Sequence, residues 1–181
     1  MRLMFVSDIH GSEQALDQVL VHYAKLNPDY LVLLGDLLNH GPRNPLPEGY
    51  NPAAVAEKLN PLAQQIVAIR GNCDSEVDQM LLKFPCLAPY NHLLAAGRRL
   101  FLSHGHLHAL DELPLACGDV LVTGHTHLPV AHREGEQYLF NPGSVTFPRG
   151  ENPASFGMLE HSHLSVRALD DGRELLGCDL D

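Results

Sequence analysis

The sequence predicts a mixed α/β domain, parallel in its first half and antiparallel in its second. Three observations carry that reading. Up to residue 72, short apolar runs alternate with helical patterns. Beyond it, strand-like runs are separated by short turns containing glycine. No linker, internal repeat or low-complexity tract breaks the 181 residues, and a chain of this length buries roughly 70% of its unfolded surface. One domain over residues 1–181 is therefore expected.

The elements follow in order. Residues 2–7 form an apolar run that reads as a buried strand, and Ser12 can cap a helix reaching about Leu26. Asn27-Pro28 ends that helix, and Tyr30 to Leu34 gives a second buried strand closed by Gly35-Asp36. A loop rich in proline runs from Leu37 to Tyr50. Asn51-Pro52 then opens a helix to about Leu59 or Leu62, with an N-cap side chain and a proline in the first turn. Gln65 to Arg70 is a third strand, so the opening half is β-α-β-α-β with right-handed crossovers. After a short helix at Ser75 to Lys83, strands are expected near 91–96, 99–103, 119–123, 129–133, 137–140, 155–160 and 163–169, punctuated by Gly97-Arg98, Glu134-Gly135-Glu136 and Asp170-Asp171-Gly172.

Charge narrows the function. Twelve Lys and Arg stand against 22 Asp and Glu, a formal net charge of -10, whereas binding along a nucleic-acid backbone needs clustered cations. Long nucleic acids are excluded as partners. No apolar stretch approaches the eighteen or so residues of a membrane span, and the opening apolar run meets Asp8 too early for a signal peptide. The four cysteines form no CxxC pair, which suits a reducing compartment; a cytoplasmic enzyme is expected. Histidines number 12, as many as the fixed cations. Imidazoles and carboxylates in excess are what divalent cations need.

Those residues fall at strand ends, the edge where open α/β sheets bind ligands. Asp8 and His10 follow the first strand, Asp36 the second and Asn72 the third; His104 follows the strand at 99–103, and His125 and His127 the one at 119–123. Gly11, Gly35, Gly71, Gly105 and Gly124 sit beside them, permitting tight turns around an ion.

This succession of blocks, DxH, GD, GN, HG and GHxH over residues 8–127, resembles the calcineurin-like metallophosphoesterase family. The runs Gly35-Asp36-Leu37-Leu38-Asn39-His40-Gly41-Pro42-Arg43, Gly71-Asn72-Cys73-Asp74 and Asn141-Pro142-Gly143-Ser144 are similar to its bacterial phosphodiesterase branch. The resemblance implies a four-layer αββα sandwich with two mixed central β-sheets. It implies two metals, one on Asp8, His10, Asp36 and His127, the other on Asp36, Asn72, His104 and His125, with Asp36 shared. A metal-bridging hydroxide would attack a small phosphodiester in line. Imidazole, carboxylate and amide ligands suit Mn²⁺, Fe²⁺ or Zn²⁺, and the resemblance favours Mn²⁺. Catalytic roles are expected for Asp36, Asn72, Cys73, Asp74 and His104.

Cys73 is a departure, because many relatives carry histidine there to help the leaving group depart. A thiol is a weak donor and a poor acid at its usual pKa of about 8.5, so diesters with good leaving groups should be preferred. The plainer alternative is a small packed residue. Asp74 either orients a site group or caps the helix after it. His40, Arg43 and His106 are substrate-contact candidates. Two other functions remain open: a metal-binding interaction scaffold of the same fold, as in the retromer coat, and a mononuclear zinc hydrolase on the alternating His104, His106 and His108. Apolar late strands leave room for a homo-oligomer, a dimer or tetramer.

Overall fold

Two mixed sheets share an apolar interface, and helices cover the far face of the first. The computed structural model describes residues 1–107 and 112–181. Its elements are β1 (Arg2–Val6), α1 (Glu13–Leu26), β2 (Tyr30–Leu33), α2 (Pro52–Leu59), β3 (Ile66–Ala68), α3 (Glu76–Leu81), β4 (Tyr90–Ala95), β5 (Arg98–Ser103), β6 (Val120–Val122), β7 (Val130–Glu134), β8 (Gln137–Asn141), β9 (Ser155–Glu160), β10 (His163–Ala168) and β11 (Glu174–Asp179). The first sheet runs β11-β10-β9-β1-β2-β3 and the second β4-β5-β6-β8-β7. Among the described residues no helix is long and apolar enough to cross a membrane.

Strand alternation divides the core in two. Leu3 and Phe5 of β1 join Val32 and, from the second sheet, Leu100, Leu102, Val120, Val122 and Phe140 in the core between the sheets. Met4 and Val6 point the other way, onto Leu16 and Val19 of α1 and Val55 and Leu59 of α2. Helix α1 buries Ala15, Leu16, Val19 and His22, a stripe at helical spacing. Ser12 caps it by accepting from the Ala15 N–H at 3.2 Å, and Asn27 ends it with a left-handed φ of 47°. Asn51 caps α2 by accepting from the Ala54 N–H, and the chain tightens into a 3-10 turn at Asn60–Gln65.

The second half departs from an antiparallel meander. β5 pairs with β6 and β6 with β8 in parallel, while β9 returns to lie antiparallel to β1. Local turn signals show where a strand stops, not which neighbour it joins. Strand β11 was not foreseen either. Its Glu174 to Asp179 run carries a glycine and alternates poorly, but it finds an edge on β10. The first sheet has the expected helical layer. Arg99 of β5 ties down the connection to β6 by donating to the Asp119 carboxylate and to the Pro114 carbonyl; residues 108–111 of that connection lie outside the described residues.

Candidate active site

Parallel strands bring their carboxyl ends to one edge, and the expected site residues meet there. Asp8 and His10 follow β1, Asp36 follows β2, Asn72 to Asp74 follow β3, His104 follows β5, and His125 and His127 follow β6. The backbone pays for this gathering. Asp8, His10, Asp36, His125 and His127 have φ of 59°, 50°, 54°, 62° and 60°, in the left-handed region that costs a non-glycine residue about 1–2 kcal/mol.

The loops are locked together by hydrogen bonds. His10 N–H donates to the Asp36 carbonyl at 2.8 Å and Asp8 N–H to the Gly35 carbonyl at 3.2 Å. Asp8 Oδ2 accepts from Ser7 Oγ at 2.5 Å and from the His125 N–H at 3.2 Å. Gly71 and Gly124 allow the closest approaches: a Cβ on Gly71 would stand 2.1 Å from Asp36 Oδ1, and one on Gly124 2.0 Å from Ser7 Oγ. Neither position tolerates a side chain.

Within this frame the ring nitrogens and carboxylates face each other. His10 Nε2 lies 3.6 Å from Asp8 Oδ1 and 3.7 Å from Asp36 Oδ2. His127 Nε2 lies 3.1 Å from Asp8 Oδ1, and His104 Nε2 3.5 Å from Asp36 Oδ2 and 3.2 Å from Asn72 Oδ1. The opposite nitrogens are engaged by backbone carbonyls: His10 Nδ1 by Asn39 at 2.9 Å, His104 Nδ1 by Leu34 at 2.6 Å and His127 Nδ1 by Phe147 at 2.7 Å. A carbonyl only accepts, so each Nδ1 carries a proton, and Nε2 is the nitrogen left to offer its lone pair to a cation once it is deprotonated. Asp8 Oδ1 and His10 Nε2 are buried without a hydrogen-bond partner. Such atoms are costly unless a cation meets them.

Ligand-forming atoms of Asp8, His10 and His127 lie within 4.8 Å of one another, as do those of Asp8, Asp36 and His104, and those of His10, Asp36 and Cys73. The donor set therefore fits divalent cations. The His125 ring stacks edge-on against that of His104, centroids 5.1 Å apart. Electrostatics agree. Burial works against ionisation of Asp8, but His10 and His127 hold its carboxyl below the ordinary range; His104 does the same for Asp36. Burial would lower His104, yet without a cation Asp36 and Asp8 push it up to about 9, so an entering metal ion would displace a proton from its Nε2.

Cys73 and Asp74 flank the cluster. Burial and the Asp36 carboxylate push the Cys73 thiol up to about 12, so it remains protonated; its backbone N–H donates to Asp36 Oδ1 at 2.8 Å. Asp74 accepts from the N–H groups of Asp36, Leu37 and Gly71 at 2.8, 2.8 and 2.7 Å. It ties the loop after β2 to the loop after β3. It does not cap α3, where Ser75 and Asp78 form the capping pair.

A cleft of about 460 Å³ opens over the cluster, lined by His10, Asp36, Asn72, Cys73, His125 and His127 and by Arg43, Leu128 and Arg149. Arg43 is thus a lining residue. His40 instead packs edge-on against Tyr50, and His106 against His104, with ring centroids 5.3 Å apart in both cases. His108 lies outside the described residues. Sequence reasoning missed Arg149. It also undervalued Asn141 to Ser144: Asn141 Nδ2 donates to the Gly124 carbonyl at 2.8 Å, and Ser144 Oγ to the Asp8 carbonyl at 3.2 Å. The turn signal was legible, but its position against β1 was not.

The chain is 60% identical over 172 residues to phosphodiesterase YfcE of Escherichia coli K12, covering 94% of each chain. A solved structure of E. coli YfcE, described as a phosphoesterase, superimposes with a TM-score of 0.97 at 56% identity over the whole of both chains. The probable metallophosphoesterase YsnB of Bacillus subtilis is 26% identical, covering 97% of this chain and 95% of YsnB. Vps29 of Entamoeba histolytica, at 24% identity and a TM-score of 0.65 over both whole chains, shares the fold. The calcineurin-like phosphoesterase superfamily domain profile matches residues 1–163, and the chain belongs to that superfamily.

Proposed function

We propose that this chain is a metal-dependent phosphodiesterase, a single cytoplasmic domain that hydrolyses small phosphodiesters with two divalent cations, Mn²⁺ the preferred one. One observation carries the reading: Asp8 Oδ1 and His10 Nε2 are buried, have no hydrogen-bond partner, and face each other across 3.6 Å. A divalent cation between them relieves both at once. Asp8, His10, Asp36 and His127 would hold one ion, and Asp36, Asn72, His104 and His125 the other. Asp36 Oδ2 stands 3.7 Å from His10 Nε2 and 3.5 Å from His104 Nε2, which supports a shared role for that oxygen. When bound, such a pair supplies an acidified water as nucleophile and charge for the phosphoryl oxygens.

The remaining work belongs to the chain's own residues. The carbonyls of Asn39, Leu34 and Phe147 fix the tautomers of His10, His104 and His127, so all three present Nε2 without reorganisation. Asp74 fixes the loops carrying Asp36 and Asn72. Arg43 stands in the cleft wall. Cys73, a thiol that holds its proton, gives little help to a departing alkoxide. The preferred substrate is then a diester whose leaving group needs no protonation.

The likeness to YfcE supports the diesterase reading. The test compares hydrolysis of bis(p-nitrophenyl) phosphate and p-nitrophenyl phosphate with added Mn²⁺. We expect turnover of the diester in excess of the monoester, abolished by a chelator and restored by Mn²⁺. Metal-loaded protein that turns over no diester would overturn the proposal in favour of the scaffold function.

A further inference from the structure

We infer that the cleft is built for a phosphodiester bearing a second anionic group, which Arg43 and Arg149 bind; this rests on the diesterase reading and narrows its substrate class. The first observation is a surplus of unpartnered positive charge. In a chain with 22 carboxylates and 12 basic residues, cations readily find partners. Lys58, for instance, bonds Asp17 and Glu13, Arg99 bonds Asp119, and Arg167 bonds Glu160. Among the described residues Arg43 and Arg149 form no side-chain hydrogen bond, ion pair or ring contact, yet both line the cleft over the carboxylate and imidazole cluster. Lys25 and Lys83 are also unpartnered, but Lys25 sits in the last turn of α1 and Lys83 directly after the C-cap of α3, where the helix dipole favours a cation. The two arginines have no such reason.

The second observation is that both arginines stand on braced backbone. Arg43 lies within a turn closed by the Asn44 N–H donating to the Gly41 carbonyl at 3.0 Å and by Asn44 Nδ2 donating to the His40 carbonyl at 2.9 Å. Arg149 donates its own N–H to the His127 carbonyl at 3.3 Å, and its carbonyl accepts from Asn152 Nδ2 at 3.0 Å. One arginine is therefore fixed to the loop after β2, the other to the loop after β6.

Charge counting says what they are for. Two divalent cations bring four positive charges; Asp8 and Asp36 offset two and a nucleophilic hydroxide a third. One charge remains, and a simple phosphodiester carries one negative charge. The metal cluster alone thus balances an uncharged-arm diester, leaving both guanidinium groups to meet another anion. Arginine suits phosphate or carboxylate, which it grips through two parallel N–H donors. A cleft of about 460 Å³ falls within the range of about 300–1,000 Å³ usual for small-molecule pockets, with room for a second arm.

The experiment uses p-nitrophenyl aryl phosphodiesters identical except that the second ring bears hydrogen, a carboxylate or a phosphate. With Mn²⁺-loaded wild-type protein we expect kcat/KM for the charged diesters to exceed that for the neutral one by about tenfold, carried by KM, the size of one charged hydrogen bond. Added salt should shrink the ratio. Arg149→Gln and Arg43→Gln should each lower it, and the double variant should bring it close to one; unchanged unfolding temperatures would show that the fold is intact. The carboxylate and phosphate arms separate the two anion types. A wild-type ratio near one, with good turnover of the neutral diester, overturns this inference and leaves the diesterase reading standing. So does a preference that survives in the double variant. Failure to turn over any of the three overturns both.

Discussion

His10, His104 and His127 each have two nitrogens, and the backbone decides which one is offered. Their Nδ1 atoms are taken by carbonyls, so all three Nε2 atoms converge on Asp8 and Asp36. Asp36 is the residue on which the arrangement depends most, because its Oδ2 is within 3.7 Å of both His10 and His104. Asp36→Asn should weaken binding at both positions and cut diester turnover by at least a hundredfold, as calorimetric Mn²⁺ titration and steady-state kinetics would report. Cys73 sets the second residue-scale prediction. Its thiol is pushed up to about 12 by burial and by Asp36, and imidazole titrates near 6.5. Cys73→His should therefore raise kcat on esters with poor leaving groups, by about tenfold or more. An unchanged leaving-group dependence would assign Cys73 to packing. These residue types and their order were readable from the sequence, as was the anomaly of cysteine after Gly71-Asn72. The left-handed φ of Asp8, His10, Asp36, His125 and His127 was not, since only glycine advertises that conformation.

At the scale of elements, the strands β1, β2, β5, β6 and β8 matter through where they end. Parallel pairing of β1 with β2, β5 with β6 and β6 with β8 sends Asp8, Asp36, His104, Gly124 and Asn141 to common edges. The first pairing was legible, because a β-α-β pattern permits little else. The later ones were not: short runs such as Val120-Leu121-Val122 carry no record of their partners, and β11 lacked clear alternation. Between these ends Asp74 acts as a clasp. Replacing it by alanine orphans three buried N–H groups at about 1–3 kcal/mol each, so Asp74→Ala should lower the unfolding temperature and loosen Mn²⁺ binding together. Ser12→Ala is the contrast. Losing the α1 cap should cost about 1 kcal/mol and leave metal affinity unchanged, because that helix end touches none of the cluster's ring nitrogens or carboxylates. Thermal unfolding with and without Mn²⁺ separates the two outcomes.

Across the whole molecule, the core between the sheets keeps these edges in register. Phe140 is 1% exposed, meets Phe5 edge-on at 5.3 Å, and closes over Gly157, where a Cβ would stand 2.6 Å from its ring. Phe140→Ala should destabilise the protein by about 3–5 kcal/mol, seen as a lower urea midpoint with an unchanged slope. The apolar residues of this core were legible as such from strand patterns, but the division of β1 between two cores required the partner strands to be placed. Charge at this scale also gained meaning: a net charge of -10 argues against long nucleic acids, yet it hides two arginines that, among the described residues, stand unpartnered over an acidic cluster. Metal binding should stabilise the folded state by mass action, raising the unfolding temperature as Mn²⁺ is added. The most direct measurement is the metal content of purified, Mn²⁺-reconstituted protein beside its Asp36→Asn variant, with diester turnover followed in the same samples. Two ions per chain and turnover are expected in the wild type, and loss of both in the variant. Diester turnover that survives Asp36→Asn would contradict that expectation.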